Sequence, residues 1–209
     1  MRLTVSMPCY GRPQRTIRAI ECICNQSVDG WEALVVGDGC SVMKDFIFSN
    51  TFSDMVKCVN ARGNQLKISN NFENKGGCGY AIINQNIQCA NGKYFIFLSN
   101  DDVIKNNHFE NYLSGIENTD YDFVYYNSYV EPYNAPRIAN LQNGHIGHSE
   151  IIVKTDFLKS MPPHSANYGH DWELIDNMLK SNAKYYYAEY NDRTYIVKSV
   201  PPKQELNID

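Results

Sequence analysis

The sequence predicts an α/β fold built on a mostly parallel sheet. Three observations carry that expectation: β-prone runs alternate with stretches of helical periodicity, each run stops at a polar turn, and Tyr94-Phe-Ile-Phe-Leu98 is apolar without alternation. A strand of that last kind needs cover on both faces, as a central parallel strand has.

Leu3 to Met7 reads as the first strand, closed by Pro8-Cys-Tyr-Gly-Arg12. Pro13 suits a first helical turn, and Ile17, Ile20 and Cys24 follow at helical spacing. Trp31 to Val36 is the second strand, broken by Gly37-Asp-Gly39, with a short helix running on through Phe46. Met55 to Val59 reads as a third strand, and the polar stretch after it ends in Lys75-Gly-Gly-Cys-Gly79. Tyr80, Ile83, Ile87 and Ala90 share a helical face that Asn91-Gly92 terminates. Beyond the Tyr94 strand, Phe109, Leu113 and Ile116 mark a helix and Phe123 to Tyr126 a strand. The second half is less regular, with a loop from Glu131 to Gly147, a strand at Ile151 to Val153 and a loop from Met161 to Gly169. A helix from Asp171 to Ser181 follows, then strands at Tyr185 to Tyr187 and Tyr195 to Val197. With no repeat or linker, residues 1–209 read as a single domain.

The 209 residues carry 19 Lys plus Arg against 23 Asp plus Glu, a net charge of -4. That length buries a core without disulfide or metal staples. The absence of a basic run argues against a nucleic-acid partner, because phosphate neutralisation needs clustered Lys and Arg. No apolar run approaches the roughly 20 residues that span a bilayer, and the start lacks a secretory signal pattern. Seven scattered cysteines without a CxxC pair read as buried reduced thiols, so a cytoplasmic protein is expected.

Four polar turns fall beyond the carboxyl ends of strands, where open α/β sheets bind ligands: Pro8 to Arg12, Gly37 to Gly39, Ser99 to Asp102 and the loop before Asp171. In Asn100-Asp101-Asp102, adjacent carboxylates after a buried strand repel one another unless a cation or donor neutralises them. Hard oxygen ligands suit Mn2+ or Mg2+, which bridge a few carboxylates to substrate phosphates. The alternative is capping of the next helix by Asp102 or Asn107, and Asp171 has the same alternative at its own helix.

The order of Val5-Ser-Met-Pro-Cys-Tyr-Gly-Arg12, Leu34-Val-Val-Gly-Asp-Gly-Cys-Ser41, the Asn74-to-Gly92 segment, Phe95-Ile-Phe-Leu-Ser-Asn-Asp-Asp102 and Gly169-His-Asp-Trp-Glu-Leu174 resembles glycosyltransferase family 2. That resemblance implies the GT-A fold, a Rossmann-like three-layer α/β/α arrangement on a mixed, mostly parallel sheet. It divides the chain into a nucleotide-sugar half, about residues 1–102, and an acceptor half, about 103–209. By the same resemblance, Pro8, Tyr10 and Arg12 line a nucleotide pocket and Asp38 accepts the uracil imide hydrogen bond. Lys75, Gly76 and Gly77 lie near the diphosphate or ribose. Asp101 matches the last aspartate of the family's DxD motif and is the expected metal ligand, helped by Asn100 or Asp102. Asp171 matches the aspartate of the ED motif, the general base of inverting members. His148 is a further candidate on the metal, since some members place a late histidine there, and His164 and Tyr168 are acceptor-site candidates.

The chain departs from the family pattern at Ser99 in the first DxD position, at Ile83 where members often carry arginine, and at His170 in place of the glutamate of ED. The implied reaction is metal-dependent, inverting transfer from a UDP-sugar to a hydroxyl of a glycan or other acceptor. A sugar nucleotidyltransferase and a non-catalytic nucleotide- or glycan-binding module are the alternatives. The former lacks its expected basic, Gly-rich loop after the first strand. The chain reads as a whole small enzyme or as the N-terminal domain of a multidomain transferase, viral for example, which would act in the host cytoplasm.

Overall fold

A strand–helix–strand unit opens the fold: β1 (Leu3–Cys9), α1 (Pro13–Cys24) and β2 (Trp31–Gly37). The two strands pair in parallel with Leu3 opposite Trp31, and both are buried almost throughout. Pro13 takes the first helical position of α1, after Gly11 and Arg12 in left-handed conformations (φ 59° and 50°). This computed structural model describes residues 1–40, 43, 45, 49–71, 79–167, 169–189 and 194–197. Lys75, Gly76, Gly77, Tyr168 and most of the expected helix through Phe46 lie outside the described residues.

The third strand is not where β-branched composition placed it. Met55 to Val59 lies inside α2 (Asn50–Ala61), and β3 is Gln65–Asn70. Phe52, Met55, Val56 and Val59 all pack on the core, at the spacings of three and four that define one helical face. The Ser49 hydroxyl accepts from Phe52 N–H at 3.2 Å, a cap worth about 1 kcal/mol. Periodicity and capping thus outweigh the valines' strand preference. β3 pairs in parallel with β2 at the sheet edge and turns only Leu66 and Ile68 inward, so it lacks a strong apolar signature.

α3 (Tyr80–Cys89) returns the chain to β4 (Tyr94–Phe97), parallel to β1 on the side away from β2. Then come β5 (Val103–Ile104), α4 (His108–Ile116), β6 (Phe123–Tyr126), β7 (Ser128–Val130) and β8 (Ala135–Arg137). The described elements end with β9 (Ile151–Lys154), α5 (Thr155–Lys159), α6 (His170–Lys180), β10 (Tyr185–Ala188) and β11 (Tyr195–Val197).

The main sheet has the order β10-β6-β9-β4-β1-β2-β3, with only β9 antiparallel to its neighbours. A second sheet, β5-β11-β7-β8, is made of strands of two or three residues. One face of the main sheet (Val5, Met7, Ile96) packs with Ile20 and Ile23 of α1 and Phe109 of α4. The other face (Phe95, Phe97, Val153) packs with Ile83 and Ile87 of α3 and Ile175 of α6. These three layers are the α/β/α architecture expected. Strand order reverses between β1 and β4, the switch point at which such sheets hold ligands.

Candidate active site

A cavity of about 630 Å³ opens at the switch point, in the size range of small-molecule sites. Pro8, Tyr10, Arg12 and Asp38 form its wall on the β1–β2 side, and Ser99 and Asn100 its edge after β4. The opposite wall is His148, Ser149, His170 and Asp171. Residues more than a hundred positions apart in sequence therefore face one space.

Asp38 is positioned by backbone and by an amide clamp. Its N–H donates to the Cys9 carbonyl at 2.8 Å. Behind it, Asn70 grips Cys40 from both sides, its Nδ2 donating to the carbonyl at 2.9 Å and its Oδ1 accepting from the N–H at 3.1 Å. Tyr10 stands at the rim, 61% exposed. Gly79, at φ 79°, opens α3 so close to β1 that a Cβ there would lie 2.8 Å from Pro8 Cβ, an approach that only glycine permits. Ile83, one helical turn on, also lines the cavity.

The acidic turn splits its two carboxylates between two environments. Asp101 pairs with the Arg12 guanidinium and accepts from Ser99 Oγ. Asp102, 7% exposed, accepts from the Tyr195 hydroxyl of the second sheet. Burial and this carboxylate push the Tyr195 phenol well up, which keeps its proton for the hydrogen bond. Asn100 is likewise occupied, donating to Thr16 Oγ1 at 2.7 Å. Neither carboxylate caps a helix: the N-cap of α4 is Asn107, without a side-chain hydrogen bond.

Of this turn Ser99 and Asn100 line the cavity, and the Asp101 carboxylate stands behind Ser99 and Arg12, while Asp102 is committed to Tyr195. So small a protein donor set fits an ion such as Mg2+ or Mn2+, which keeps most of its shell in phosphate and water.

On the opposite wall, a single 3-10 turn, His148–Glu150, precedes β9. Glu150 is buried, accepting from Gly147 N–H at 2.7 Å and Ser128 Oγ at 2.5 Å with Arg137 at 3.4 Å. This anchors the turn and aims His148 at α6, its ring stacked on Phe97 with centroids 4.5 Å apart. Asp171 lies within the first turn of α6, whose N-cap is Gly169, so it is not a cap. Its Oδ1 lies 3.2 Å from both His148 Nδ1 and His170 Nε2. Its Oδ2 accepts from His148 N–H at 3.3 Å, and Gly147 gives room, since a Cβ there would stand 3.3 Å from that oxygen.

Burial alone would raise the Asp171 carboxyl. The His170 hydrogen bond and the His148 N–H oppose this and hold the group below the usual carboxylate range. Burial lowers His148 to about 4 and His164 to about 3, so both rings are neutral near pH 7. His164 Nε2 meets His148 Nε2 at 2.9 Å. Asn84 of α3 holds His164 in turn, its Oδ1 accepting from His164 N–H at 2.8 Å and its Nδ2 donating to the carbonyl at 3.0 Å. Asn84 and the pairing of the two histidines carried no sequence signal, because the partners lie 80 and 16 residues apart.

Residues 4–172 match the family model described as Glycosyl transferase family 2. Among curated relatives, the chain is 29% identical over 139 residues to the Escherichia coli K12 protein WcaA, named as a colanic acid biosynthesis glycosyl transferase, covering 64% of this chain and 46% of that one. It is 25% identical over 127 residues to the glycosyltransferase GlyG of Streptococcus pneumoniae serotype 4, covering 61% and 39%. The chain thus spans about half or less of the curated relatives it matches. Among solved structures, S. aureus TarS 1-349 in complex with UDP-GlcNAc superposes with a TM-score of 0.70 at 16% identity, over 100% of this chain and 62% of that one. The Pyrobaculum calidifontis mannosyltransferase PcManGT, in complex with GDP-Man and Mn2+, gives 0.70 at 13% identity, over 98% and 58%. At such identities the likeness establishes the fold, GT-A.

Proposed function

The chain belongs to glycosyl transferase family 2, and from that premise we propose that it moves a sugar from a nucleoside diphosphate sugar, a UDP-sugar, to a hydroxyl of a glycan acceptor, with inversion and with Mn2+ or Mg2+ as cofactor. One observation carries the reading: Asp38, Arg12, Ser99 and Asn100 face Asp171 across a single cavity, so a donor held by the first wall presents its anomeric carbon to the second. TarS with UDP-GlcNAc and PcManGT with GDP-Man and Mn2+ share the fold and support a nucleotide-sugar donor with a divalent ion.

In this mechanism the first half, about residues 1–102, holds the donor. Asp38 accepts from the base, Tyr10 and Pro8 pack on the nucleoside, and Arg12 meets the diphosphate. Asp101 would hold the metal, with Ser99 or Asn100 nearby, and the ion would offset charge on the diphosphate leaving group. The second half, about 103–209, receives the acceptor. Asp171 takes the proton from the attacking hydroxyl as it reaches the anomeric carbon from the face opposite the leaving group. The His170 hydrogen bond and the His148 N–H hold the carboxylate ionised and fixed in orientation. Asp171 is a weak base before substrates bind, and closing the cavity around donor and acceptor raises its proton affinity by excluding water.

The test separates binding from chemistry. Asp101→Asn should remove the metal-dependent part of UDP-sugar binding by calorimetry, whereas Asp171→Asn should bind donor normally and fail in transfer. Normal transfer by Asp171→Asn would reject the assigned base. No stabilisation by any nucleotide sugar with Mn2+ or Mg2+ would reject the reaction class.

A further inference from the structure

The histidines around Asp171 do more than orient it. The Asn84 amide is fixed by the backbone of His164, so its Oδ1 is the atom that meets His164 Nδ1 at 3.2 Å. An acceptor there requires the proton of neutral His164 on Nδ1, which leaves His164 Nε2 bare. The 2.9 Å contact between the two Nε2 atoms is then filled by a proton on His148 Nε2. Neutral His148 therefore presents a lone pair at Nδ1, 3.2 Å from Asp171 Oδ1. His170 Nε2 approaches the same oxygen at 3.2 Å. Two acceptors face one another across a gap that a cation would fill, and water is largely excluded from the two rings, which are 7% and 6% exposed.

Two of the three ligand separations agree with a metal ion in that gap. His148, His170 and Asp171 each offer one donor atom, all within 4.8 Å of one another. Tetrahedral coordination with bonds of about 2.0–2.1 Å separates ligand atoms by about 3.3 Å, close to the two 3.2 Å separations here. Two imidazoles and one carboxylate are the donors of borderline ions such as Zn2+, not of Mg2+. The outer partners have the order typical of a metal-bound histidine, His148 donating its far N–H to His164 and His164 to Asn84.

We propose that His148, His170 and Asp171 form a cation site of Zn2+ type, separate from the acidic turn, and that loading it inhibits the enzyme. The inhibitory consequence rests on Asp171 being the general base: an oxygen coordinated to the ion cannot accept the acceptor's proton. The site's remaining coordination position opens toward the cavity, where Asp171 is 40% exposed.

The full chain, without donor, is titrated with Zn2+ by calorimetry and with Co2+ by visible absorption. One ion should bind, with a nitrogen–oxygen Co2+ spectrum. His148→Gln and His170→Gln should each weaken binding about 100-fold and His164→Phe about 10-fold, with thermal melts confirming folding. Asp101→Asn should bind Zn2+ as the unaltered chain does. Where transfer is measured with Mg2+, stoichiometric Zn2+ should abolish it. Zn2+ binding that survives both histidine-to-glutamine variants, a thiolate charge-transfer band with Co2+, loss of binding in Asp101→Asn, or undiminished transfer at saturating Zn2+ overturns the proposal. The first three outcomes need no turnover, so they are distinct from a failure of the transferase reading.

Discussion

Two carboxylates at opposite ends of the main sheet, one buried and one half-exposed, have opposite surroundings. Glu32 lies at the amino end of β2, its side chain 0% exposed, and every approach to it is a donor. Thr4 Oγ1 donates at 2.8 Å, Lys67 Nζ at 2.6 Å, and Asn91 through its N–H at 2.6 Å and its Nδ2 at 3.3 Å. Asp171, at the carboxyl end, is approached by imidazoles of which one faces it with a lone pair, and His170 Nδ1 is buried without a partner among the described residues. A satisfied carboxylate clamps a fold. One left partly unsatisfied at the switch point keeps a lone pair for chemistry, at the expense of local stability.

The largest test of this contrast is Asp171→Asn. A general base contributes about 10²–10⁴ in rate, so transfer should fall about 1000-fold. Because an amide can donate to the imidazole lone pair that the carboxylate repels, the melting temperature should not drop. Loss of both activity and stability would make Asp171 as structural as Glu32.

Glu32→Ala should do the reverse. Burial would raise this carboxyl, and hydrogen bonds from Lys67, Asn91 and Thr4 overcome that and hold it below its usual range. Removing it leaves Thr4 and the Asn91 amide without their acceptor, a loss on the order of 3 kcal/mol. At this chain length that is a fall of roughly 10 °C in melting temperature, with donor affinity unchanged. A fall of less than about 2 °C would show that the network at this end is not a clamp.

The contrast was half legible in the sequence. Asp38, Asp101 and Asp171 stand out because strand-end acids interrupt apolar runs, and strand ends are where an α/β sheet binds ligands. Tyr94 to Leu98 was readable as central because burial on both faces forces an unbroken apolar run. Glu32 went unseen, since one acid in Trp31 to Val36 looks like an ordinary outward residue until Thr4, Lys67 and Asn91 converge on it. Met55 to Val59 has the composition of a strand because its valines mask the helical face of α2. The second sheet was illegible because two- and three-residue strands have no period. The role of His164 depends on Asn84, which only the packing of α3 against the loop brings near.

Acid separates the two ends further. Burial lowers His108 to about 3, His148 to about 4 and His164 to about 3, against about 6.5 in the unfolded chain. Below pH 6.5 the unfolded state binds more protons, so stability is fully present above that pH and is lost as pH falls toward the folded values. By pH 5 each imidazole should cost about 2 kcal/mol. Glu32, with its carboxyl lowered, weakens only below the ordinary carboxylate range. A melting temperature that is flat from pH 7 to pH 5 would contradict neutral, buried histidines. His108→Gln should remove only its own share of the slope, because His108 bonds Thr194 at 3.0 Å outside the cavity.

A small effect on stability belongs to Arg12 as well. Its pair with Asp101 looks as tight as that of Lys67 with Glu32, yet the Arg12 side chain is 42% exposed, and exposed pairs contribute about 0–1 kcal/mol. Arg12 also holds a left-handed backbone at φ 50° ahead of α1, a conformation that costs on the order of 1–3 kcal/mol and is characteristic of ligand sites. Arg12→Gln should therefore shift the melting temperature by less than about 2 °C while weakening nucleoside diphosphate binding about 10-fold, as loss of one charge-assisted contact does. Arg12→Gly should relieve the backbone and raise stability, with the same loss of binding. If both variants bind the diphosphate as well as the unaltered chain, the ion pair serves the fold, and the division between a closed amino end and an open carboxyl end does not extend to the acidic turn.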